Sequence, residues 1–195
     1  MKVASHGAAS AHDPMKTFET IETNRLLIRR PRLSDAAAVF ERYASDPDVT
    51  RYVGWPRHTD VSQTDGFLSF SDVEWTRWPA GPYLIFARDD RTLLGGTGLG
   101  FETPTTASTG YVLARDAWGV GYATEALTAM VRLAEQLGVK RLYALCHPDH
   151  YASRHVLEKC GFALEELRRR SAEFPNLQPG VAADVLSYVL SARIP

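Results

Sequence analysis

The chain is poor in sulfur, in net charge and in long apolar runs. Its 195 residues hold two cysteines and three methionines. Cys146 lies in an apolar strand-like run and Cys160 near a helix end, so both are expected to pack as small hydrophobes without forming a disulfide. No segment approaches the roughly 20 uninterrupted apolar residues that span a bilayer, which speaks against a membrane partner. Residues 1 to 14 are mostly Ala, Ser, Gly and His, and they lack the apolar run of a signal peptide. A flexible tail over residues 1–20 and a single domain over 21–195 are therefore expected, with cytoplasmic residence as the default. Lys and Arg total 22 against 23 Asp and Glu, and the formal net charge is −1. Such balance gives no bulk electrostatic reason for a nucleic acid partner. The run Arg168-Arg169-Arg170 is local and reads as a solvated strand end.

What is present suffices for one buried core, since 45% of the residues are hydrophobic. Arg25 to Arg29 reads as a first strand, and Ser34 as the N-cap of a helix carrying Phe40, Tyr43 and Ala44 on one face. A second helix falls within Val61 to Trp78, weakened by Gly66. Tyr83 to Ala87 is a buried-type strand, followed by a turn at Asp89 to Arg91 and a glycine-rich strand from Leu93 to Gly100. A loop over Pro104 to Ala107 leads to the strand Tyr111 to Leu113. The clearest helix follows, with Ala123, Ala126, Leu127, Met130, Val131, Ala134 and Leu137 at helical spacing, closed by Gly138. Leu142 to Cys146 is a strand, and a short amphipathic helix ends at Gly161. Two final strands lie around Ala163 to Arg168 and Asp184 to Leu190. The order predicts an α/β (α+β) mixed sheet with helices on both faces.

The turn Gly119-Val120-Gly121 between a strand and the clearest helix carries the first chemical signal. Successive N–H groups there can converge on an oxygen, and the positive end of the helix points the same way. The turn lacks the Gly-Lys-Ser/Thr ending of a nucleotide-hydrolysing loop and the third glycine of a dinucleotide fingerprint. From spacing alone, phosphate binding and a plain capping turn remain equal alternatives.

Around that turn, "GYVLARDAWGVGYATEAL" resembles the acetyl-CoA loop of the GNAT N-acetyltransferase superfamily, whose signature is Gln/Arg-x-x-Gly-x-Gly/Ala. The resemblance is to the branch of ribosomal-protein alanine and serine N-acetyltransferases. "TNRLLIRRPRLSDA", "VTRYVGWP", "ASRHVLEKCGF" and "ADVLSYVL" extend it from about Thr23 to Leu190. It implies a mostly antiparallel twisted sheet of about seven strands, with a splayed strand pair holding CoA. By the same resemblance, backbone groups of Tyr111 and Leu113 would pair with the pantetheine arm. The N–H groups of Gly119, Val120, Gly121, Tyr122, Ala123 and Thr124 would cradle the pyrophosphate. Trp118 stands where the superfamily prefers Gln or Arg, His150 where it prefers Asn, and Ser153 matches a serine near the thioester sulfur. Leu157 occupies the position of the tyrosine that protonates the leaving thiolate. A hydrocarbon has no proton to give, so Ser153 is the expected general acid.

The implied activity is direct transfer of an acetyl group from acetyl-CoA, as cosubstrate, to a primary amine. The acceptor is a protein N-terminus or a small molecule, and the resemblance leaves a homodimer open. Candidates to take the amine proton are Glu102, His147, Asp149 and His150; Glu102 follows a glycine-rich strand and precedes the cofactor strand, a solvated loop acid being the alternative. Trp55, with Tyr52 and Pro56, is expected to line the acceptor site, core packing being the alternative. Arg154 and Lys159 are candidates to approach the remote phosphate. His147 and His150 lack further ligands at zinc spacing, so no metal is expected. The absent tyrosine and the Asn-to-His change also leave a non-catalytic CoA-binding regulatory module as the alternative.

Overall fold

A computed structural model of the chain describes residues 18–89 and 91–190. The apolar run Pro82–Ala87 is the middle of it and forms strand β3. Its side chains divide by parity: Tyr83 and Ile85 enter one core cluster, Leu84 and Phe86 the other. A strand with both faces covered reads as a continuous hydrophobic run for that reason. The remaining strands are β1 (Thr20–Glu22), β2 (Leu26–Arg29), β4 (Leu93–Thr103), β5 (Thr106–Leu113), β6 (Arg141–Cys146), β7 (Phe162–Glu173) and β8 (Ala182–Leu190). They form one sheet in the order β1-β2-β3-β4-β5-β6-β8-β7. Every neighbouring pair is antiparallel except β5 with β6, which is parallel.

The sheet has eight strands where about seven were expected. The extra strand, β1, is three residues long and pairs Ile21 with Ile28, too short for any periodicity to reveal it. The expected tail over 1–20 lies, up to residue 17, outside the described residues. Phe18, Glu19 and Thr20 belong instead to the sheet region. The Phe18 carbonyl accepts from Tyr83 Oη at 2.7 Å and the Glu19 carbonyl from the Arg30 amide at 2.8 Å.

Four α-helices cover the sheet: α1 (Ala36–Val39), α2 (Val61–Arg77), α3 (Tyr122–Gln136) and α4 (Tyr151–Lys159). The expected Ser34 cap is not used. Asp35 instead closes the turn before the helix, its carboxylate accepting from the Arg32 amide at 2.7 Å while the Arg29 fork grips it at 2.7 and 2.9 Å. After α1 the helix widens into a π turn over Phe40–Ala44, with the Ser45 amide bonded to the Phe40 carbonyl at 3.1 Å. Val39, Tyr43 and Ala44 seal the face of the sheet carrying Leu84 and Leu93. On the opposite face, α3 buries Ala126, Leu127, Met130, Leu133 and Ala134 among Ile28, Ile85, Leu142 and Tyr188. No helix among the described residues is long and apolar enough to cross a membrane.

Helix α2 runs unbroken through Gly66. Asp60 caps it by accepting from the Ser62 amide at 2.8 Å, and Gln63 reaches back to the Thr59 amide at 2.7 Å. Gly66 is exposed, and a Cβ built there meets nothing within 4 Å. Gly66→Ala is therefore expected to stabilise the protein by about 0.5–1 kcal/mol through lower unfolded-state entropy. The check is a higher denaturant midpoint at unchanged slope; a lower midpoint contradicts it.

Candidate active site

β5 and β6 pair only at Thr106 with Arg141, Ala107 with Leu142 and Ser108 with Tyr143. Beyond that point they part, although β5 continues to Leu113 and β6 to Cys146. The direction of the freed backbone follows from its other edge. Thr97 Oγ1 donates to the Gly110 carbonyl at 2.8 Å, and a Cβ at Gly95 would lie 2.0 Å from the Val112 oxygen. Even-numbered residues of β5 thus address β4, and alternation turns the amides and carbonyls of Tyr111 and Leu113 toward the gap. The gap opens into a cleft of about 1260 Å³ that reaches the Gly119-to-Thr124 turn at one end and the 48–58 loop at the other. A single small ligand needs less room than this. The Leu113 carbonyl is already engaged, accepting from Trp118 Nε1 at 2.8 Å. Trp118 therefore anchors the turn to the end of β5, a role its side chain gives no hint of in the sequence.

In the turn itself, Gly119 has φ +77° and Gly121 φ +87°, both in the left-handed region where a side chain is strained. Gly121 is the N-cap of α3. Among the described residues, no protein group accepts from the amides of Gly119 through Thr124. An anion with several oxygens fits such a set of orphan donors at a helix N-terminus. The diphosphate of acetyl-CoA is an anion of that kind, and the parted strands offer its pantetheine arm a backbone edge.

Midway along the cleft, Tyr111 Oη lies 3.1 Å from Ser153 Oγ and 3.2 Å from the Ser153 carbonyl. Burial pushes the Tyr111 phenol well above its ordinary value, so it stays protonated. Leu157 lines the same cleft and is 2% exposed. Cys146 also lines it, and burial raises its thiol pKa, which disfavours a thiolate nucleophile.

The far wall is aromatic. Tyr52 stacks on His150 with ring centroids 4.7 Å apart and leans on His147 at 5.1 Å, while His147 meets Phe174 edge-on at 4.7 Å. Burial, with His147 beside it, lowers the His150 pKa and keeps that ring neutral. The Asp149 amide donates to His147 Nδ1 at 3.1 Å, which fixes the orientation of that ring. Trp55 lines the cleft and also packs on the Tyr43 cluster, so lining and packing coincide in one residue. Asn176 fastens this loop: its Nδ2 donates to the carbonyls of Thr50 at 2.7 Å and Trp55 at 2.9 Å, and its Oδ1 accepts from the Arg57 amide at 2.7 Å.

Two expectations are corrected. Glu102 does not line the cleft. It lies near the β4–β5 hairpin, beyond the closed end of the parted strands, and its carboxylate accepts from the Tyr143 hydroxyl. About four residues of strand, some 13 Å, separate its level from that of Tyr111. Arg154 is likewise outside the cleft lining, donating to the Pro148 carbonyl at 3.3 Å and to Tyr188 Oη at 3.4 Å, whereas Lys159 does line it. The residues missed by sequence reasoning are Phe174, Asn176, the Tyr111 hydroxyl and the Arg25–Glu125 pair. Phe174, Asn176 and Arg25 reach the site from distant segments, while Tyr111 and Glu125 stand beside the turn but find their side-chain partners 42 and 100 residues away.

Comparison with known proteins agrees with this architecture. The family model described as an acetyltransferase (GNAT) domain matches residues 25–163. Protein p20 of Bacillus licheniformis, described as an uncharacterized N-acetyltransferase, is 30% identical over 155 residues, 78% of this chain and 86% of p20. A GNAT-family acetyltransferase structure from Bacillus anthracis is 25% identical with a TM-score of 0.75, covering 88% of this chain and 98% of that one. RimL, a ribosomal L7/L12 alpha-N-protein acetyltransferase solved in complex with coenzyme A, shares the fold at a TM-score of 0.77 and 23% identity, covering 88% and 97% of the two chains. Fold and matched sequence together define an acetyltransferase, against the alternative of a non-catalytic module. More narrowly, the chain belongs to the GNAT acetyltransferase family.

Proposed function

We propose that the enzyme moves an acetyl group directly from acetyl-CoA to a primary amine, with no covalent enzyme intermediate. The observation that carries this reading is the parting of β5 from β6 immediately before a turn of unpaired amides. Acetyl-CoA supplies the activated thioester. The amides of Gly119 to Thr124 hold its diphosphate, and the gap-facing backbone of Tyr111 guides its pantetheine arm, with the Leu113 amide beside it. Trp118 contributes by pinning the Leu113 carbonyl, and His150 by stacking Tyr52 against the cleft.

As the amine nitrogen bonds to the carbonyl carbon and the carbon–sulfur bond breaks, the departing thiolate takes a proton from Ser153 Oγ. Tyr111 Oη, at 3.1 Å, replenishes that proton and recovers its own from solvent. The surplus proton on the amine leaves through the neutral His150 imidazole or an adjoining water. The transfer is proton-neutral overall. Two thiols with raised pKa values, the buried Cys146 and the half-buried Cys160, support direct transfer over an acyl-cysteine route.

The acceptor end is walled by Tyr52, Trp55, His58, His147 and Phe174, with Asp48 and Glu173 as its only carboxylates among the lining residues. That aromatic lining favours a compact amine next to an apolar or planar group over an extended peptide. RimL is named for a protein N-terminus, so peptides belong in the test. The experiment follows free thiol from acetyl-CoA against N-terminal peptides and small primary amines. Turnover on aromatic or apolar amines exceeding that on peptides is expected. Faster turnover on peptides overturns the acceptor assignment, and no thiol release above hydrolysis across the panel overturns amine transfer.

A further inference from the structure

Arg25 and Glu125 stand 100 residues apart and meet behind the Gly119-to-Thr124 turn. Glu125 Oε1 accepts from Thr23 Oγ1 at 2.6 Å and from the Arg25 amide at 2.8 Å, and its Oε2 accepts from Arg25 Nε at 2.7 Å. The same guanidinium donates through Nη1 to the Val120 carbonyl at 2.9 Å and lies 4.7 Å above the Tyr122 ring. Arg25 thus touches the middle peptide of the turn and the first turn of α3 at once.

The consequence for the turn is geometric. A trans peptide is planar, with its C=O and N–H pointing in opposite directions. Once Arg25 holds the Val120 carbonyl from behind, the Gly121 N–H must face away from Arg25. Gly121 needs φ +87° for this, and left free that peptide can rotate. Charge matters too. A bare carboxylate in the first turn of α3 would repel an anion bound at the helix end, and Glu125 is that carboxylate. Burial pushes the Glu125 pKa up, but the bonds from Thr23 and Arg25 outweigh it and keep the group ionised. The guanidinium beside it cancels its charge without entering the cleft.

We propose that Arg25 is a positioning residue for acetyl transfer: its fork, braced by Glu125, fixes the Val120–Gly121 peptide so that the Gly121 amide points at the cofactor's diphosphate. The inference rests on the diphosphate reading of the turn given above. It concerns orientation and not bulk charge, so lysine is no substitute. A single ammonium cannot span both Glu125 and the Val120 carbonyl with a planar fork.

The test measures coenzyme A binding by calorimetry and the amide shift of Gly121 by nitrogen-15 NMR, for the wild type, R25A, R25K and T23V. R25A and R25K are expected to lose at least about 10-fold in affinity and to abolish the Gly121 shift on adding coenzyme A. T23V also weakens the Glu125 cluster but leaves the Val120 bond intact, so it is expected to bind within about 2-fold of the wild type. Wild-type affinity in R25K overturns the orientation argument in favour of charge alone. A loss in T23V equal to that in R25K overturns it in favour of general loosening. If coenzyme A binds the wild type without moving the Gly121 amide, the diphosphate reading itself fails, whatever the Arg25 variants do.

Discussion

Gly121→Val is expected to reduce coenzyme A affinity by at least about 100-fold, with the sheet and helices intact by circular dichroism. Valine disfavours the left-handed region more strongly than most residues, and Gly121 sits there at φ +87°. The turn must therefore rearrange, and the amides of Gly121 and Tyr122 lose their common aim. A hydrogen bond to a charged acceptor contributes about 1.5–3 kcal/mol, so misaligning two removes about 3–6 kcal/mol. That range corresponds to about 10²- to 10⁴-fold in affinity. The new Cβ itself would lie 3.5 Å from Arg25 Nη2, in ordinary contact, so backbone strain and not a clash carries the effect.

Strain alone has a matched control. Gly180 has φ +71°, nothing lies within 4 Å of its hypothetical Cβ, and it is remote in sequence from the turn. Gly180→Val puts the same residue into the same backbone region, at a penalty of at least about 1–2 kcal/mol, and is expected to bind coenzyme A normally. Undiminished binding by Gly121→Val removes the diphosphate site from this turn. Equal losses in both variants would assign the effect to stability.

The elements that position this turn were legible because they repeat locally. Helix α3 shows its buried face at helical spacing, Gly138 and Gly161 stand where the helices stop, and β3 reads as an unbroken apolar run. Strand β1 and the start of β5 were not legible. The first is three residues long, and Thr106 to Ser108 are small residues that declare a strand only through pairing with Thr103, Phe101 and Gly100 across a tight hairpin. The Ser34 cap failed for a related reason. Serine is a common cap, but Asp35 has an arginine partner from β2 that outcompetes it. Along the cleft, the glycine turn and Ser153 stand where the sequence motifs put them, both among its lining residues. Glu102 was misplaced because position along a strand does not say which end of it opens. Tyr111 was read for its backbone alone, since its hydroxyl meets Ser153 across 42 residues.

Removing the Ser153 hydroxyl is expected to lower kcat by about 10²-fold or more while the KM for acetyl-CoA changes less than about 3-fold. A positioned general acid is worth about 10²- to 10⁴-fold, and Tyr111 Oη, bonded to Ser153 Oγ at 3.1 Å, serves the relay through that oxygen. Leu157 offers hydrocarbon, His147 faces Phe174, and the Cys146 sulfur sits against the carbonyls of His147 at 3.4 Å and His150 at 3.8 Å. Tyr111→Phe keeps the ring that fills the cleft floor and deletes only the hydroxyl. Its expected effect is smaller, about 10-fold, because Ser153 can still donate once and recover its proton from water. The two substitutions act on one relay, so S153A/Y111F is expected to be no slower than S153A alone. Steady-state thiol release with an acceptor from the panel above gives all the rates. Additive losses would separate the two hydroxyls into independent roles, and wild-type kcat in S153A would move the proton source to another group altogether.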